Sequence, residues 1–274
     1  MRNAFSIAAD LFGESVAPKS RWYCNRPYCD GKPHDQWPHE HARTAQCPPA
    51  EFTHGAALVW LILAGRGFGK TRTGAEWLGH QARTNPKTEW GIVAPTYKDL
   101  KEVCVEGESG LLNALEGTLY DYNKSSLQIV LRASQTVIRS YSAETPERVR
   151  GPNLSGAWLD EIAQNQGSYP AAWKNLSMAI RRKGSPVKVV ATSTPAPVPL
   201  VRQFTDRTDN SVVITRGSTF DNRDNLADSF IAEMEVRYKG TRFERQELFG
   251  ELLTDVPGAL WTPDLIESAR GVLL

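Results

Sequence analysis

The sequence predicts an α/β fold in which helices cover both faces of a mainly parallel sheet. Two observations carry this prediction. Short apolar runs, typical of buried strands, alternate with longer amphipathic runs of helical period. The first apolar run also leads directly into a glycine-rich turn that ends in Lys-Thr. Strands that alternate with crossover helices form a parallel sheet between two helical layers.

The apolar runs predict seven strands, at Leu58–Leu63, Trp90–Ala94, Leu127–Leu131, Thr136–Tyr141, Ala157–Leu159, Val187–Ala191 and Val212–Thr215. The helical runs are Thr71–Arg83, Tyr97–Val105, Ala171–Arg181, Leu200–Thr205 and Leu226–Tyr238. A short polar loop separates the third strand from the fourth. We therefore expect these two strands to form a hairpin at an edge of the sheet.

Composition excludes several classes of protein. Of the 274 residues, 41% are hydrophobic and 23% are charged, a balance typical of a globular chain. The longest apolar stretch, from Ala56 to Ala64, is too short to cross a bilayer, and no secretory signal precedes it. We expect a cytoplasmic protein without a membrane partner. The net charge is +1, so any contact with nucleic acid must come from a local basic surface.

The strand, glycine-rich turn and Lys-Thr pair predict a phosphate-binding loop, or P-loop. Gly65, Gly67 and Gly69 allow backbone angles at which successive N–H groups point at phosphate oxygens. Lys70 opens a helix and would reach the β- and γ-phosphates of a nucleotide, and Thr71 would offer its hydroxyl to Mg²⁺. Ala64 stands where the usual motif has its first glycine, a mild departure because the strand–loop–helix context is intact.

Two carboxylates, Asp160 and Glu161, follow the apolar strand at Ala157–Leu159. On a strand beside that of the P-loop, Asp160 would hold Mg²⁺, and Glu161 would orient and deprotonate the attacking water. Small-molecule kinases need no such base. The pair therefore predicts a P-loop NTPase of the additional-strand, catalytic-glutamate (RecA-like) type.

A Cys/His cluster lies in the N-terminal region. Cys24, Cys29, His34 and His39 follow an even spacing, with His41 and Cys47 nearby. Thiolate and imidazole ligands suit a tetrahedral, structural Zn²⁺ site, which would stabilise a segment too short for its own core. The spacing matches no standard zinc finger, and a loosely ordered arm is the alternative.

Several motifs, in this order, resemble the ATPase domain of tailed-bacteriophage large terminase subunits. They are AGRGFGKTRTGAEW at Ala64–Trp77, then Ile92–Thr96, Glu147–Pro152, Ala191–Pro195, and the segment from Thr219 to Trp261. The resemblance implies a motor that couples ATP hydrolysis to translocation of double-stranded viral DNA into a procapsid. It also implies a homo-oligomeric ring, a portal protein and a small terminase subunit as partners, and a location in the cytoplasm of the infected bacterium.

The resemblance also implies roles for individual residues. ATP would be bound by Gly65, Arg66, Gly67, Phe68, Gly69, Lys70, Thr71 and Arg72, with Arg66 near the γ-phosphate. Mg²⁺ would be held by Thr71 and Asp160, and Glu161 would be the catalytic base. Arg150 would act in trans as an arginine finger, with Arg148 as the rival candidate. Thr192, Ser193 and Thr194 would couple hydrolysis to movement of DNA.

The expected organisation is a Cys/His-rich arm over residues 1–55, an ATPase domain over 56–262 and a tail over 263–274. Large terminases continue into a nuclease domain for which this chain has no room, so we expect no nuclease activity from it. Two other functions stay open at this point. A superfamily-two helicase shares the same motifs but needs two such cores, and a nucleotide-switched assembly protein would not need Glu161.

Overall fold

The computed structural model describes residues 46–165, 167–184 and 187–253, together with residues 265 and 269. Its strands are β1 (Val59–Ala64), β2 (Glu89–Ala94), β3 (Tyr120–Asn123), β4 (Gln128–Leu131), β5 (Val137–Ser142), β6 (Gly156–Leu159), β7 (Lys188–Ser193) and β8 (Val212–Gly217). They form one eight-stranded sheet in the order β3-β4-β5-β2-β6-β7-β1-β8. From β5 to β8 every neighbouring pair is parallel, which confirms the predicted α/β class.

The predicted hairpin is the antiparallel pair β4–β5. It does not lie at the edge of the sheet, because β3 pairs antiparallel with β4 on its outer side. The sequence of β3, Tyr-Asp-Tyr-Asn, is polar, and its residues are half-buried or exposed. An edge strand with so little apolar pattern gives no signal that periodicity can detect.

The helices are α1 (Ala50–Thr53), α2 (Lys70–Thr84), α3 (Tyr97–Asp99), α4 (Leu111–Ala114), α5 (Tyr169–Ala179), α6 (Pro199–Thr205) and α7 (Asp228–Tyr238). Helix α3 continues as a π-helical segment over Leu100–Val105, and a second π-helical segment spans Glu244–Leu248. Two 3₁₀ segments, Pro146–Val149 and Thr219–Asn225, complete the described helical elements. The five predicted helices all lie at these positions, with ends that shift by a few residues.

The sheet separates two hydrophobic cores. Strand β1 is buried throughout, and its side chains alternate between the faces, with Trp60 and Ile62 on one side and Leu61 and Leu63 on the other. The first core contains Trp77 and other apolar residues of α2. The second is closed by α5 and α6. Phe52, inside the predicted N-terminal arm, packs against Trp60 and Trp77; the predicted domain limits stay a prediction.

The strand order corrects one expectation. The strand that precedes Asp160 was expected beside that of the P-loop, but β7 lies between them, paired with β1 on one side and β6 on the other. An extra strand at this place is the feature of the additional-strand class. Strand β7 therefore brings Thr192 and Ser193 to the sheet end at which β1 and β6 finish.

Helix α2 packs closely against the sheet at a glycine, Gly74. A Cβ atom at Gly74 would lie 2.2 Å from Nε1 of Trp158, which is buried in β6. The indole cannot move away easily because it belongs to the close-packed first core. The distance between α2 and the sheet thus depends on the absence of a side chain at this position.

We therefore expect Gly74→Ala to lower the free energy of unfolding by about 1–3 kcal/mol, the usual cost of overpacking a core. Gly79→Ala on the same helix is the matched control, because its Cβ would meet nothing closer than 3.5 Å. The control should be neutral or stabilising by up to about 1 kcal/mol, since alanine favours helix. Urea unfolding measures both, and equal effects of the two substitutions would contradict the assigned contact.

Candidate active site

The glycine-rich loop connects the end of β1 to the start of α2. Gly67 and Gly69 have φ values of +77° and +96°, in the left-handed region that favours glycine. No side chain caps the N-terminus of α2, which begins at Lys70. The N–H groups of its first turn lack intrahelical acceptors and point outward with the positive end of the helix dipole. This end of α2 can therefore bind an anion such as a phosphate group.

The Lys70 side chain is almost fully buried under the loop. Its ammonium group donates to the carbonyl oxygens of Ala64 at 3.0 Å and Gly65 at 3.1 Å, and to Oγ1 of Thr194 at 3.3 Å. Its Nζ also lies 3.4 Å from Oε1 of Glu161. Four acceptors compensate the buried charge, and the contacts join the loop to the ends of β6 and β7.

The loop is supported by residues that the sequence analysis did not assign to the site. Thr219, fully buried, donates to the carbonyl oxygen of Arg66 at 2.6 Å, and Nδ2 of Asn222 donates to that of Gly67 at 2.7 Å. The N–H of Arg66 donates to the carbonyl oxygen of Glu247 at 2.6 Å. Gln46, just before α1, donates to the carbonyl oxygen of Phe68 at 2.5 Å. The resemblance at Thr219–Asn222 was the only sequence signal for these contacts.

Asp160 is the buried member of the acidic pair. Its Oδ1 accepts a hydrogen bond from Oγ1 of Thr192 at 2.8 Å and lies 3.5 Å from Oγ1 of Thr71. Its Oδ2 lies 3.5 Å from the thiol of Cys104, on the π-helical segment after α3. Burial and the neighbouring Glu161 raise the pKa of Asp160 to about 6, against the opposing hydrogen bond from Thr192. Burial likewise raises the pKa of the Cys104 thiol, so that it remains a hydrogen-bond donor.

The hydroxyl of Thr71 and the carboxylate of Asp160 are the oxygen atoms that a divalent metal would bind here. Both are hard oxygen donors, the type that Mg²⁺ prefers. They face one another across the gap between α2 and β6. The residues predicted for Mg²⁺ are thus adjacent and chemically suited to it.

Glu161 follows directly, in a strained backbone conformation. Its φ of +48° is in the left-handed region, uncommon for a non-glycine residue and frequent at functional sites. One carboxylate oxygen accepts from the backbone N–H of Thr194 at 3.1 Å, and the other faces Lys70. The carboxylate is therefore fixed beside the P-loop lysine while the Asp160 side chain is turned into the protein.

Tyr169 is a second residue that sequence reasoning missed. It is the first residue of α5 and is fully buried. Its hydroxyl lies 2.6 Å from the carbonyl oxygen of Asp160 and 2.9 Å from that of Val93. The tyrosine thus ties α5 to the ends of β6 and β2, immediately behind the acidic pair.

The other three residues of the predicted ATP set, Arg66, Phe68 and Arg72, have protein groups as neighbours, and their role in binding ATP stays a prediction. The Arg66 side chain is 72% exposed, with Nε 4.0 Å from Oε2 of Glu247. Arg72 forms an ion pair with Glu76 one turn further along α2. Phe68 is buried, and its ring packs against Gly217 at the end of β8. Phe68 thus contributes to packing beneath the loop, and each of the two arginines lies beside a glutamate carboxylate.

The candidate arginine fingers lie on and after the 3₁₀ segment before β6. Arg148 and Arg150 are both exposed. Arg150 donates from Nε to Oδ1 of Asn175 at 3.1 Å, and Nδ2 of the buried Asn175 donates to the carbonyl oxygen of Pro146 at 2.8 Å. Arg150 is therefore held against α5 through Asn175.

The predicted zinc ligands Cys24, Cys29, His34 and His39 lie outside the described residues, so the zinc site stays a prediction. Within the ranges that the structure describes, no group of three or more His, Cys, Asp or Glu residues could hold a metal ion. Cys47, at the start of these ranges, is half-buried.

The matching family model is "Terminase large subunit, T4likevirus-type, N-terminal", which covers residues 61–268. The chain belongs to this family. That membership confirms the predicted resemblance and favours the terminase over the helicase among the open alternatives. No curated protein matches the chain significantly.

Solved structures show the same fold in other members of the terminase family. The Thermus phage P74-26 large terminase ATPase domain matches with a TM-score of 0.61 and 16% identity, over 77% of this chain and 94% of that one. A large terminase from a thermophilic bacteriophage, in complex with ADP, matches with a TM-score of 0.59 and 17% identity, over 70% of this chain. The HK97 bacteriophage large terminase matches with a TM-score of 0.56 and 14% identity, over 71% of this chain and 47% of that one.

This terminase chain spans about half of the thermophilic phage protein, 48% of whose length it covers. At these identities the likeness shows the RecA-like P-loop fold, and the roles of individual residues rest on this chain's own geometry. None of the helices in the described ranges is both long and apolar enough to cross a bilayer.

The raised pKa of Asp160 predicts a pH dependence of stability. A buried carboxyl whose folded-state pKa lies above the ordinary 3.8 stabilises the fold in its protonated form, and this contribution is lost as the pH rises through about 6. Asp160→Asn removes the titration. In metal-free buffer the wild type should therefore lose stability relative to Asp160→Asn as the pH rises from about 4 to about 6, by as much as about 3 kcal/mol over the whole transition. Thermal unfolding at several pH values measures the difference, and parallel curves would contradict it.

Proposed function

We propose that this chain hydrolyses ATP and couples hydrolysis to translocation of double-stranded DNA into a procapsid. The observation that carries the proposal is the placement of Glu161, whose carboxylate lies 3.4 Å from the P-loop lysine and is held by the N–H of Thr194. A phosphate-binding loop alone fits a switch as well as an enzyme. A carboxylate fixed beside it is what water activation requires.

In the proposed reaction Lys70 and the N-terminus of α2 bind the phosphates of ATP. When bound by Thr71 and Asp160, Mg²⁺ would neutralise phosphate charge and orient the γ-phosphate. The γ-phosphate competes with Glu161 for the ammonium group of Lys70. Nucleotide binding therefore frees the Glu161 carboxylate to accept a proton from the attacking water.

Thr194 supports the proposed coupling role of the segment Thr192–Thr194. Its hydroxyl contacts Lys70 at 3.3 Å and its backbone N–H contacts Glu161 at 3.1 Å, so it meets both charges that change partner during the reaction. Thr192 contacts Asp160 from the same strand end. A change of partner at Lys70 or Glu161 would therefore alter the contacts made at the end of β7. The chain continues from this end into α6.

We further propose that the protein works as a ring with a portal protein and a small terminase subunit, in the cytoplasm of the infected bacterium. The family membership and the exposure of Arg150 support this assembly. Arg150 would then complete the site of a neighbouring subunit, where a guanidinium stabilises charge on the transferred phosphoryl group.

Glu161→Gln should leave ATP binding nearly intact and lower kcat on the order of a hundredfold or more, as expected for loss of a general base. The amide oxygen of Gln can still accept the hydrogen bond from Thr194, so the local structure is retained. Asp160→Asn should instead weaken Mg²⁺-dependent binding of ATP, and Lys70→Ala should abolish phosphate binding. Steady-state hydrolysis and nucleotide titrations separate these effects; an identical binding defect in both acidic variants would refute the division of roles.

If Arg150 acts in the site of a neighbouring subunit, its substitution should affect only the assembled protein. Arg150→Ala should keep its nucleotide affinity and lose turnover only when subunits assemble. Mixing Arg150→Ala with Glu161→Gln subunits should restore part of the ATPase activity, because some interfaces pair an intact base with an intact finger. A finger that acts in cis gives no rescue at any mixing ratio. Arg148→Ala, measured in parallel, tests the rival candidate.

A further inference from the structure

Helix α5 and the loop after it carry an uncompensated positive charge. The chain as a whole is nearly neutral, with 32 Lys and Arg against 31 Asp and Glu. Between Tyr169 and Gly184, however, there are four basic residues and no acidic one. The basic residues are Lys174, Arg181, Arg182 and Lys183. A local surface of one sign in a neutral chain indicates a partner of opposite charge.

The cations lie on the outer side of the helix. Ala172, Leu176 and Ala179 face the core, whereas Lys174 and Met178 are exposed one turn apart on the other side. Arg181 is exposed just beyond the end of the helix at Ala179. At the end of the helix Nη1 of Arg181 donates to the carbonyl oxygen of Met178 at 2.9 Å. At helical rise Lys174 lies about 8 Å from the end of the helix at Ala179, and the basic residues of the following loop extend the row beyond it.

The row continues across the adjacent loop. Nη2 of Arg182 donates to the carbonyl oxygen of Lys87 at 2.7 Å, which places the turn before β2 beside the loop after α5. Lys87 and Lys183 are exposed. We call Lys87, Lys174, Arg181, Arg182 and Lys183 the basic strip. No carboxylate among the described residues forms an ion pair with any of the five.

One end of α5 is fixed to the active site. The Tyr169 hydroxyl contacts the carbonyl oxygens of Asp160 and Val93, and Asn175 in the middle of the helix holds Arg150. The same helix thus contacts the acidic pair at its start, the candidate finger at its centre and the basic strip along its outer side. A shift of the strand end at Asp160 would be transmitted to the strip as movement of one rigid element.

We propose that the basic strip binds the phosphate backbone of double-stranded DNA and that α5 links this contact to the nucleotide site. The inference rests on the translocase function proposed above. A duplex carries one negative charge per about 1.7 Å of its axis, so a strip of this length faces several phosphates. Phosphate contacts carry no sequence information, as a motor that moves along any DNA requires.

The composition of the strip favours nucleic acid over a protein partner. Protein interfaces have an apolar or aromatic centre and are depleted in lysine. Among the exposed residues of α5 Met178 is the large hydrophobic one, and the others, Ala171, Lys174 and Ser177, are small or cationic. An acidic protein surface is therefore the alternative that the experiment must separate.

The test compares two triple variants of equal charge change. One removes the strip, Lys174→Ala, Arg181→Ala and Lys183→Ala. The control removes three exposed lysines on other elements, Lys98→Ala, Lys124→Ala and Lys239→Ala. Binding to a short double-stranded DNA fragment of mixed sequence is measured by fluorescence anisotropy over a range of salt concentrations, in the presence of a non-hydrolysable ATP analogue. Hydrolysis of ATP is measured with and without the DNA.

The strip variant should bind DNA about tenfold more weakly or worse. The slope of log K against log salt is negative, and its magnitude should decrease by about one for each phosphate that the protein no longer neutralises. The variant should keep its hydrolysis rate without DNA and should not be stimulated by DNA. Arg181→Lys alone, which keeps the charge, should bind nearly as the wild type does.

Equal weakening in the two triple variants would overturn the assignment, because it would show a general charge effect. A strip variant with unchanged DNA binding and altered self-association would also overturn it, because the strip would then be a protein contact. A wild type that binds no DNA would overturn it as well. Failure of the ATPase proposal is a separate outcome. It would appear as a wild type that does not hydrolyse ATP, whereas the difference in DNA binding between the two triple variants would still be observed.

Discussion

The buried ammonium group of Lys70 is the interaction on which the site depends. A buried cation is costly unless hydrogen-bonded and paired, and here four groups from three elements provide that compensation. Ala64 and Gly65 come from the end of β1, Glu161 from the end of β6 and Thr194 from the end of β7. The lysine thus holds together the ends of three strands as well as the loop from which it projects.

The strand order makes this convergence possible. Because β7 is inserted between β1 and β6, the acidic pair lies two strands from the P-loop, and the residues that end β7 face both. Thr192 reaches Asp160 and Thr194 reaches Glu161, so the two carboxylates are positioned by one strand and turned in different directions. Burial raises the pKa of Asp160, while Glu161 remains partly exposed beside the phosphate-binding loop. Adjacent residues of the same chemistry therefore occupy two environments, one suited to holding a metal and the other to meeting water.

Helix α5 extends this organisation away from the nucleotide. Its first residue is hydrogen-bonded behind the acidic pair, and its inner face closes the second core. Such a helix cannot bend locally without disrupting its packing, so displacement at the strand ends moves it as a unit. The loop that carries Arg148 and Arg150 packs on the same helix through Asn175. The proposed subunit contact and the proposed DNA contact would in this way respond to one change in the occupancy of the site.

The sequence by itself determined the sheet class, the P-loop, the acidic pair and the approximate position of the long helices within the described ranges. These features depend on local chemistry: a glycine-rich turn between a buried strand and a helix, and carboxylates at a strand end. Tertiary structure decided what depends on residues distant in the chain. It inserted β7 beside β1, added the polar edge strand β3, and brought Thr219, Asn222, Cys104 and Tyr169 to the site. Strand order and side-chain contacts across the sheet follow from packing two cores at once, and periodicity along the chain carries no record of that packing.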